Sequence, residues 1–103
     1  DPEQIKRAAE VGADRIELYT GPFAAAWGSD ALETIFAQHL QAAELAVSLG
    51  LGVNAGHDLN LENLGKFASI PDLLEVSIGH AFTVDCLKMG MVPALRAYQA
   101  LLA

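Results

Sequence analysis

The sequence predicts an α/β fold built on three parallel strands, from the order and the patterning of its segments. Short apolar segments with the alternation of strands occupy residues 15–20, 51–55 and 73–78, and helical segments separate them. Strands connected through helices form parallel sheets, because each crossover returns the chain to the same direction. One face of each predicted strand is apolar. The other face carries polar residues, namely Glu17, Asn54, Glu75 and Ser77.

A polar face on a parallel sheet favours a barrel over a doubly wound sheet. Helices cover both faces of a doubly wound sheet, so both faces should be apolar. In a (β/α)8 barrel the outward residues pack under helices, whereas the inward residues can form a polar site. A closed barrel of this type needs eight strands. Residues 1–103 are therefore predicted to form a single incomplete domain, a part of such a barrel with helices on its outer face.

The first helix is predicted from its start and stop signals. Asp1 is expected to cap it, Pro2 suits its first position, and Gln4 completes a capping box. Gly12 is a plausible stop after the helix. The strand at 15–20 follows, and the small-residue segment 21–29, with Gly and Pro, is predicted to be a loop.

A long helix is predicted after Asp30. Asp30 and Glu33 have the spacing of an N-terminal cap, and the helix is expected to end at Gly50. Its apolar stripe follows the 3.6-residue period. The stripe consists of Leu32, Ile35, Phe36, Leu40, Ala43, Ala46 and Val47.

The second half repeats the strand–helix order. Asn60 is predicted to cap a short helix that Pro71 closes, and the strand at 73–78 comes next. In this strand, Leu74, Val76 and Ile78 lie on one face and should point toward the helices. A short helix at 81–89 and a final amphipathic helix opened by Pro93 complete the chain.

Composition narrows the function classes. The formal net charge is −7 with only six Lys and Arg residues, which disfavours a nucleic-acid partner. No apolar run approaches the roughly 20 residues that span a bilayer, so no membrane association is predicted. The single Cys86 excludes an internal disulfide and suits the cytoplasm. No cluster has metal-ligand spacing and no Gly-rich nucleotide loop occurs, so neither a metal nor a cofactor is predicted.

Two Gly-His pairs mark the candidate site. Gly56-His57-Asp58 follows the second strand, and Gly79-His80 follows the third, directly before the short helix. Active sites of such barrels lie at the carboxyl ends of the strands, and phosphate often binds near a short extra helix. One Gly-His pair alone is a weak motif. Two pairs in equivalent places predict ligand-binding loops, with backbone N–H groups that can bind an anion.

Several polar residues have a structural and a functional interpretation. A carboxylate inside a strand must be paired or hydrogen-bonded, so Glu17 is either functional or half of an ion pair. Glu75 has the same two interpretations, and for this residue the structural ion pair is favoured. Asn54 could orient a catalytic group or satisfy the backbone. Trp27 could cover a ligand or anchor its loop. His39 is interpreted as a surface residue and Cys86 as a packing residue.

Three segments together resemble the pyridoxine 5′-phosphate synthase family. They are residues 1–24, 49–64 and 70–82, whose motifs are IELYTG, NAGH and IGH. The resemblance implies the C-terminal half of a (β/α)8 barrel with extra helices, assembled as a homo-octamer. It also implies that 3-amino-2-oxopropyl phosphate condenses with 1-deoxy-D-xylulose 5-phosphate to form pyridoxine 5′-phosphate in vitamin B6 biosynthesis, a transferase-type reaction.

The resemblance also assigns roles to residues. Glu17 matches the family's transition-state-stabilising glutamate, and His57 matches its proton donor. Asp58 matches a position that contacts the aminoketone phosphate, and Gly79 with His80 matches the main phosphate loop. No cofactor is implied.

The chain departs from the family pattern in two ways. Tyr19 stands where the family has histidine, and Asp58 stands where it has glycine. The family's other catalytic histidine and glutamate, and the arginines that bind the second phosphate, belong to earlier strands that this sequence does not contain. The 103 residues alone are therefore expected to be inactive.

Two alternatives remain open from the sequence. One is a non-catalytic half-barrel that binds a phosphorylated metabolite or self-associates through its open strand edges. The other is a different phosphate-binding barrel, such as thiamin phosphate synthase, which shares the loop arrangement but not these motifs.

Overall fold

A computed structural model describes all residues, 1–103, and has six helices and three strands. The elements in chain order are α1 (Pro2–Glu10), β1 (Arg15–Tyr19), α2 (Gly21–Ala25), α3 (Leu32–Ser48), β2 (Gly52–Gly56), α4 (Leu64–Phe67), β3 (Leu73–Ser77), α5 (His80–Met89) and α6 (Met91–Leu102). The strands form one parallel sheet in the order β1-β2-β3. This confirms the α/β prediction with three parallel strands.

The two faces of the sheet differ as the sequence predicts. Leu18, Val53 and Ala55 are buried on the face toward the helices. On the other face the residues are more exposed, and Glu17, Asn54 and Glu75 are register partners in one row across the sheet. Carboxyl ends of parallel strands lie at one edge, so the three strands deliver their following loops to the same side.

The prediction for Leu74 is wrong. The register shifts between Val53 and Asn54, so that Val53 pairs with Leu73 and Asn54 pairs with Glu75. Leu74 is thus the extra residue of a bulge, and its side chain is 55% exposed. Leu73 packs against the core instead. A bulge reorients side chains relative to simple alternation, which explains the error.

The core lies between the sheet and the helices and includes an aromatic cluster. Phe23 is fully buried and contacts Phe67 at 5.1 Å and Phe36 at 6.1 Å between ring centroids. His39 joins this cluster, 5.5 Å from Phe67. Its ring nitrogens also lie 2.9 Å from the Ile35 carbonyl oxygen and 3.0 Å from that of Tyr19. The interpretation of His39 as a surface residue is therefore wrong, because its ring bridges α3 to the end of β1.

Helix boundaries follow the predicted signals in part. Asp1 caps α1, since its Oδ1 accepts from the Glu3 N–H at 3.0 Å. The predicted loop at 21–29 instead begins with the short helix α2, which buries Phe23. Asp30 does not cap α3; the helix starts at Leu32 without a side-chain cap. Local cap patterns thus locate helices but not always their first residue.

Helices α5 and α6 pack against each other through a buried tyrosine. The Tyr98 hydroxyl donates a hydrogen bond of 2.6 Å to Asp85 Oδ2. Burial, followed by this hydrogen bond, raises the pKa of Tyr98 well above its ordinary value. No helix combines the length and apolar character required to span a membrane.

Candidate active site

One cavity of about 750 Å³ lies at the carboxyl ends of the strands. Its lining comes from β1, from the loop after β2 and from the junction of β3 with α5. All five sequence-predicted site residues line it: Glu17, His57, Asp58, Gly79 and His80. The structure thus brings together residues that are up to 63 positions apart in the chain.

Glu17 reaches this cavity because Gly56 has no side chain. Glu17 lies in β1, and its carboxylate extends over Gly56, the last residue of the neighbouring strand β2. A Cβ added at Gly56 would lie only 2.2 Å from Glu17 Oε1. The side chain takes part in none of the ion pairs of the chain. Glu17 is therefore available to a positively charged group in the cavity.

Glu75 has the structural role that the sequence favours for it. Its Oε1 lies 3.1 Å from Arg15 Nη1, and the same nitrogen donates to Asn54 Oδ1 at 3.3 Å. Arg15 therefore spans all three strands on the polar face. Sequence reasoning missed this arginine because it considered only the cations in the loops. The pairing with Glu75 keeps Arg15 off Glu17, the other carboxylate of the same row.

His57 has an unusual backbone conformation at the end of β2. Its φ is +90°, and that of Asp58 is +61°, a region that side chains other than glycine rarely adopt. The imidazole packs edge-on against the Tyr19 ring, with centroids 4.8 Å apart. The side chain is exposed to the cavity. Backbone and neighbouring ring together aim the imidazole at the space above the sheet.

The loop that carries His57 is held by polar side chains from below. Thr20 donates its hydroxyl hydrogen to the carbonyl oxygens of Gly56, at 2.6 Å, and of His57. Asn63 donates to the Asp58 carbonyl oxygen at 3.2 Å. Sequence reasoning missed both residues. A polar residue placed directly after a strand on its core side is the signal that could have revealed Thr20.

Gly79 and His80 form the opposite wall of the cavity at the start of α5. Gly79 is the N-cap of this helix, and His80 is its first residue. The first N–H groups of a helix have no partner within the helix, and its dipole favours negative charge there. Space is open around Gly79, since nothing lies within 4 Å of an added Cβ. This corner can approach an anion through its backbone.

Charges in the cavity are sparse and mostly negative. Glu17 and Asp58 supply the carboxylates, and His57 and His80 supply the imidazoles. No Lys or Arg lines the cavity. A bound phosphate would therefore depend on backbone N–H groups, the α5 terminus and the two imidazoles.

Trp27 lies away from this cavity. Its ring packs edge-on against Phe23 with centroids 5.9 Å apart, which supports the interpretation that Trp27 anchors its loop. Cys86 is half-buried in α5, in agreement with a packing role. A smaller cavity of about 410 Å³ borders the free edge of β1, between α1 and α3, and reaches Glu17 from the other side.

Comparison with known proteins identifies the family of the chain. The family model described as "Pyridoxal phosphate biosynthesis protein PdxJ" matches residues 1–103. The chain belongs to this family. Both Gly-His loops and the Glu17 strand lie inside the matched range, so the cavity is formed entirely by residues of the family domain.

Similar curated proteins bear the name pyridoxine 5′-phosphate synthase. The protein from Albidiferax ferrireducens is 50% identical over 99 residues, which are 95% of this chain and 39% of the relative. The Xanthomonas axonopodis pv. citri protein is 54% identical over 95 residues, 91% of this chain and 37% of the relative. The Porphyromonas gingivalis protein is 50% identical over 104 residues, 100% of this chain and 43% of the relative. The chain spans about two-fifths of the length of these relatives.

Proposed function

We propose that residues 1–103 are the C-terminal part of a (β/α)8 barrel that acts as a pyridoxine 5′-phosphate synthase. The reaction condenses 3-amino-2-oxopropyl phosphate with 1-deoxy-D-xylulose 5-phosphate, closing the pyridine ring with loss of phosphate and water. The observation that carries this proposal is the convergence of Glu17, His57 and the Gly79-His80 corner on one cavity, in a chain about half identical to proteins of that name.

The polar face of the sheet supports the barrel. It carries Glu17, Asn54 and Glu75 where a doubly wound sheet would need apolar residues. Both outer strands, β1 and β3, have free edges to which further strands can pair. The assembled enzyme is proposed to be a cytoplasmic homo-oligomer, an octamer as in the family.

Glu17 is assigned the stabilisation of positive charge. Condensation of an amine with a ketone passes through iminium-like states, and a fixed carboxylate lowers their energy. Glu17 suits this role because Arg15 is already paired with Glu75 at 3.1 Å. A carboxylate neutralised by its own arginine would contribute less.

His57 is assigned proton donation to a departing oxygen. Its exposed imidazole projects into the cavity from the end of β2, and histidine exchanges protons near neutral pH. The Tyr19 ring, 4.8 Å away, limits where the imidazole can turn. The proton would reach a hydroxyl or phosphate leaving group before ring closure is complete.

Gly79 and His80 are assigned the phosphate of the aminoketone. The start of α5 offers unpaired N–H groups and a favourable dipole. Asp58 completes this assignment only through its backbone, because its carboxylate would repel the phosphate. The left-handed φ of +61° at Asp58 is compatible with a glycine-like loop conformation there.

The remaining part of the barrel is required for activity. Two phosphorylated substrates bring several negative charges, and the cavity has no Lys or Arg to bind the second phosphate. We therefore predict that residues 1–103 alone form no pyridoxine 5′-phosphate. Turnover by the purified 103-residue chain would contradict this.

The test restores the missing part. In a chimera, residues 1–103 replace the matched 43% of the Porphyromonas gingivalis relative. The chimera should form pyridoxine 5′-phosphate from the two substrates. Glu17→Gln should lower kcat by about 100-fold or more, as expected for loss of a preorganised electrostatic group.

The control is Glu44→Gln, which makes the same chemical change on the exposed side of α3. It should leave kcat unchanged. A chimera that folds and assembles but forms no product, or equal effects of the two glutamine variants, would refute the proposal.

A second candidate rests on the free edges of β1 and β3. The β3 edge borders an apolar cavity of about 380 Å³ that includes Leu74 and Leu102. An unpaired edge with apolar surroundings can pair with another copy, so a non-catalytic half-barrel that self-associates is the alternative. Concentration-dependent association of the chain, with no calorimetric heat on adding 3-amino-2-oxopropyl phosphate or pyridoxine 5′-phosphate, would favour it.

A further inference from the structure

Thr20 and Asn63 are almost fully buried polar residues, with 0% and 1% of their surfaces exposed. They are 43 positions apart, at the end of β1 and at the start of α4. Both side chains form hydrogen bonds with the backbone of the same short loop, residues 56–60. The loop is the one that carries His57 into the cavity.

Thr20 controls the first half of the loop. Its backbone N–H donates to the Gly56 carbonyl oxygen at 2.9 Å, which extends the pairing of β1 with β2 by one step. Its hydroxyl hydrogen is shared between the carbonyl oxygens of Gly56 and His57. Two successive carbonyl groups are thereby turned toward the core, and the imidazole is turned away from it.

Asn63 controls the second half of the loop. Its Oδ1 accepts from the Asn60 N–H at 2.8 Å, and its Nδ2 donates to the Asp58 carbonyl oxygen at 3.2 Å. Asn60 in turn accepts from the N–H groups of Glu62 and Asn63, both at 2.9 Å, in the manner of a helix cap. The loop is thus fixed to the first turn before α4.

The segment between these two anchors is where the backbone is strained. His57 and Asp58 have φ values of +90° and +61°. Non-glycine residues stay in this region only when surrounding contacts enforce it, and such residues concentrate at functional sites. The enforcing contacts here are the hydrogen bonds from Thr20 and Asn63.

We propose that Thr20 and Asn63 are positioning residues that hold His57 and Asp58 in their left-handed conformation and so aim the His57 imidazole at the substrate. What the imidazole then does rests on the proposed function, whereas the fixing of the loop does not. Neither side chain touches the cavity, so both act through the backbone.

The first experiment measures loop order without activity. Backbone NMR of the 103-residue chain should show residues 57–59 as rigid as the strands on the picosecond–nanosecond timescale. Thr20→Val keeps the shape but removes the donor, and Asn63→Leu removes both bonds. Each should raise the mobility of residues 57–59 only, whereas Thr20→Ser should keep the loop ordered.

The matched control is Ser48→Ala. It removes a hydroxyl that donates to the Leu45 carbonyl oxygen at 2.6 Å, far from the loop. It should leave residues 57–59 unchanged. Mobile residues 57–59 in the unaltered chain, or an ordered loop in both Thr20→Val and Asn63→Leu, would overturn the proposal. If one variant does not fold, the other variant and Thr20→Ser still test the proposal, and mobile residues 57–59 in the unaltered chain overturn it in any case.

The second experiment uses the chimera. Thr20→Val should lower kcat about tenfold to 100-fold, as a small displacement of a catalytic group does, with little change in KM. Thr20→Ser should restore most of kcat. Equal kcat for Thr20→Val and the unaltered chimera, or no rescue by serine, would overturn the positioning role. An inactive unaltered chimera would refute the proposed function instead, and the NMR result would still decide whether Thr20 and Asn63 fix the loop.

Discussion

The two Gly-His loops look alike in sequence but are built differently. The loop after β2 bends through left-handed backbone at His57 and Asp58, and buried Thr20 and Asn63 hold it. The loop after β3 runs directly into α5, with Gly79 as the N-cap and a negative φ of −107°. No buried polar side chain supports the second loop.

The difference is consistent with the roles proposed for the two loops, proton transfer for the first and phosphate binding for the second. A side chain that transfers a proton must be fixed within a fraction of an ångström, which needs a supporting shell. An anion bound by the start of a helix needs only free N–H groups and space. The first loop meets the former requirement, and the second loop meets the latter.

The largest expected contrast comes from the two glycines. Gly56→Ala places a Cβ 2.2 Å from Glu17 Oε1, whereas an added Cβ at Gly79 has nothing within 4 Å. Gly56→Ala should therefore cost about 1–3 kcal/mol of unfolding free energy, because the Glu17 side chain must move aside and Ser77 Cβ lies 3.3 Å from the added atom. Urea denaturation of the two variants measures this. Equal losses for Gly56→Ala and Gly79→Ala would remove the contrast between the loops.

The two threonines provide the next comparison. Thr20 and Thr83 each donate to the carbonyl oxygen of the glycine in their loop, but Thr20 is buried and Thr83 is exposed. Thr20→Val should cost about 1–2 kcal/mol because it removes the hydroxyl hydrogen bonds to the Gly56 and His57 carbonyl oxygens and leaves Gly56 only its backbone bond to Thr20. Thr83→Val should stay within about 0.5 kcal/mol. Urea denaturation measures both losses of unfolding free energy. A larger loss for Thr83→Val would contradict the proposal that Thr20 fixes the loop after β2.

Helix α5, which follows the second loop, is stabilised by a hydrogen bond from Tyr98 of α6 to Asp85. Tyr98→Phe removes the hydrogen bond to Asp85 and should cost about 1 kcal/mol at neutral pH. Because the folded pKa of Tyr98 is raised by burial, its contribution is complete below the ordinary value of 10.0 and is lost as pH rises further. The stability difference between the two proteins should therefore shrink above pH 10.0. A constant difference up to pH about 11 would contradict this.

The smallest effect is expected at the ion pair on the polar face. Arg15 and Glu75 are half-exposed, so Glu75→Gln should cost at most about 1 kcal/mol, and less at high salt. In the chimera the released Arg15 can approach Glu17, two residues along the same strand face, so kcat should fall. Adding Arg15→Gln should restore it. Unchanged kcat in Glu75→Gln would show that Arg15 stays away from Glu17.

Local patterns predicted much of the fold. The alternation of β1 and β2, the cap at Asp1 and the stop near Gly50 depend on neighbouring residues, so they can be read from a single sequence. Leu74 was misplaced because its bulge depends on the register with β2. The short helix α2 was missed because it is stabilised by the burial of Phe23 rather than by a cap.

Within the site, the sequence predicted the residues at the cavity but not those beneath it. Glu17, His57 and His80 are marked by strand ends and motifs. Thr20 and Asn63 have no motif, and their importance appears only when the chain brings them under the same loop. The pairing of Arg15 with Glu75 likewise joins residues 60 positions apart. Such contacts depend on the register and the crossovers, which the sequence does not reveal directly.

The most direct test of this account compares His57→Asn with His80→Asn in the chimera. A fixed proton donor acts in the transition state, so His57→Asn should lower kcat about 100-fold to 10,000-fold with little change in KM. A phosphate-binding group acts on the bound substrate, so His80→Asn should mainly raise KM for 3-amino-2-oxopropyl phosphate. The same kinetic change in both variants, or a loss of kcat confined to His80→Asn, would contradict the assignment of catalysis to the first loop and binding to the second.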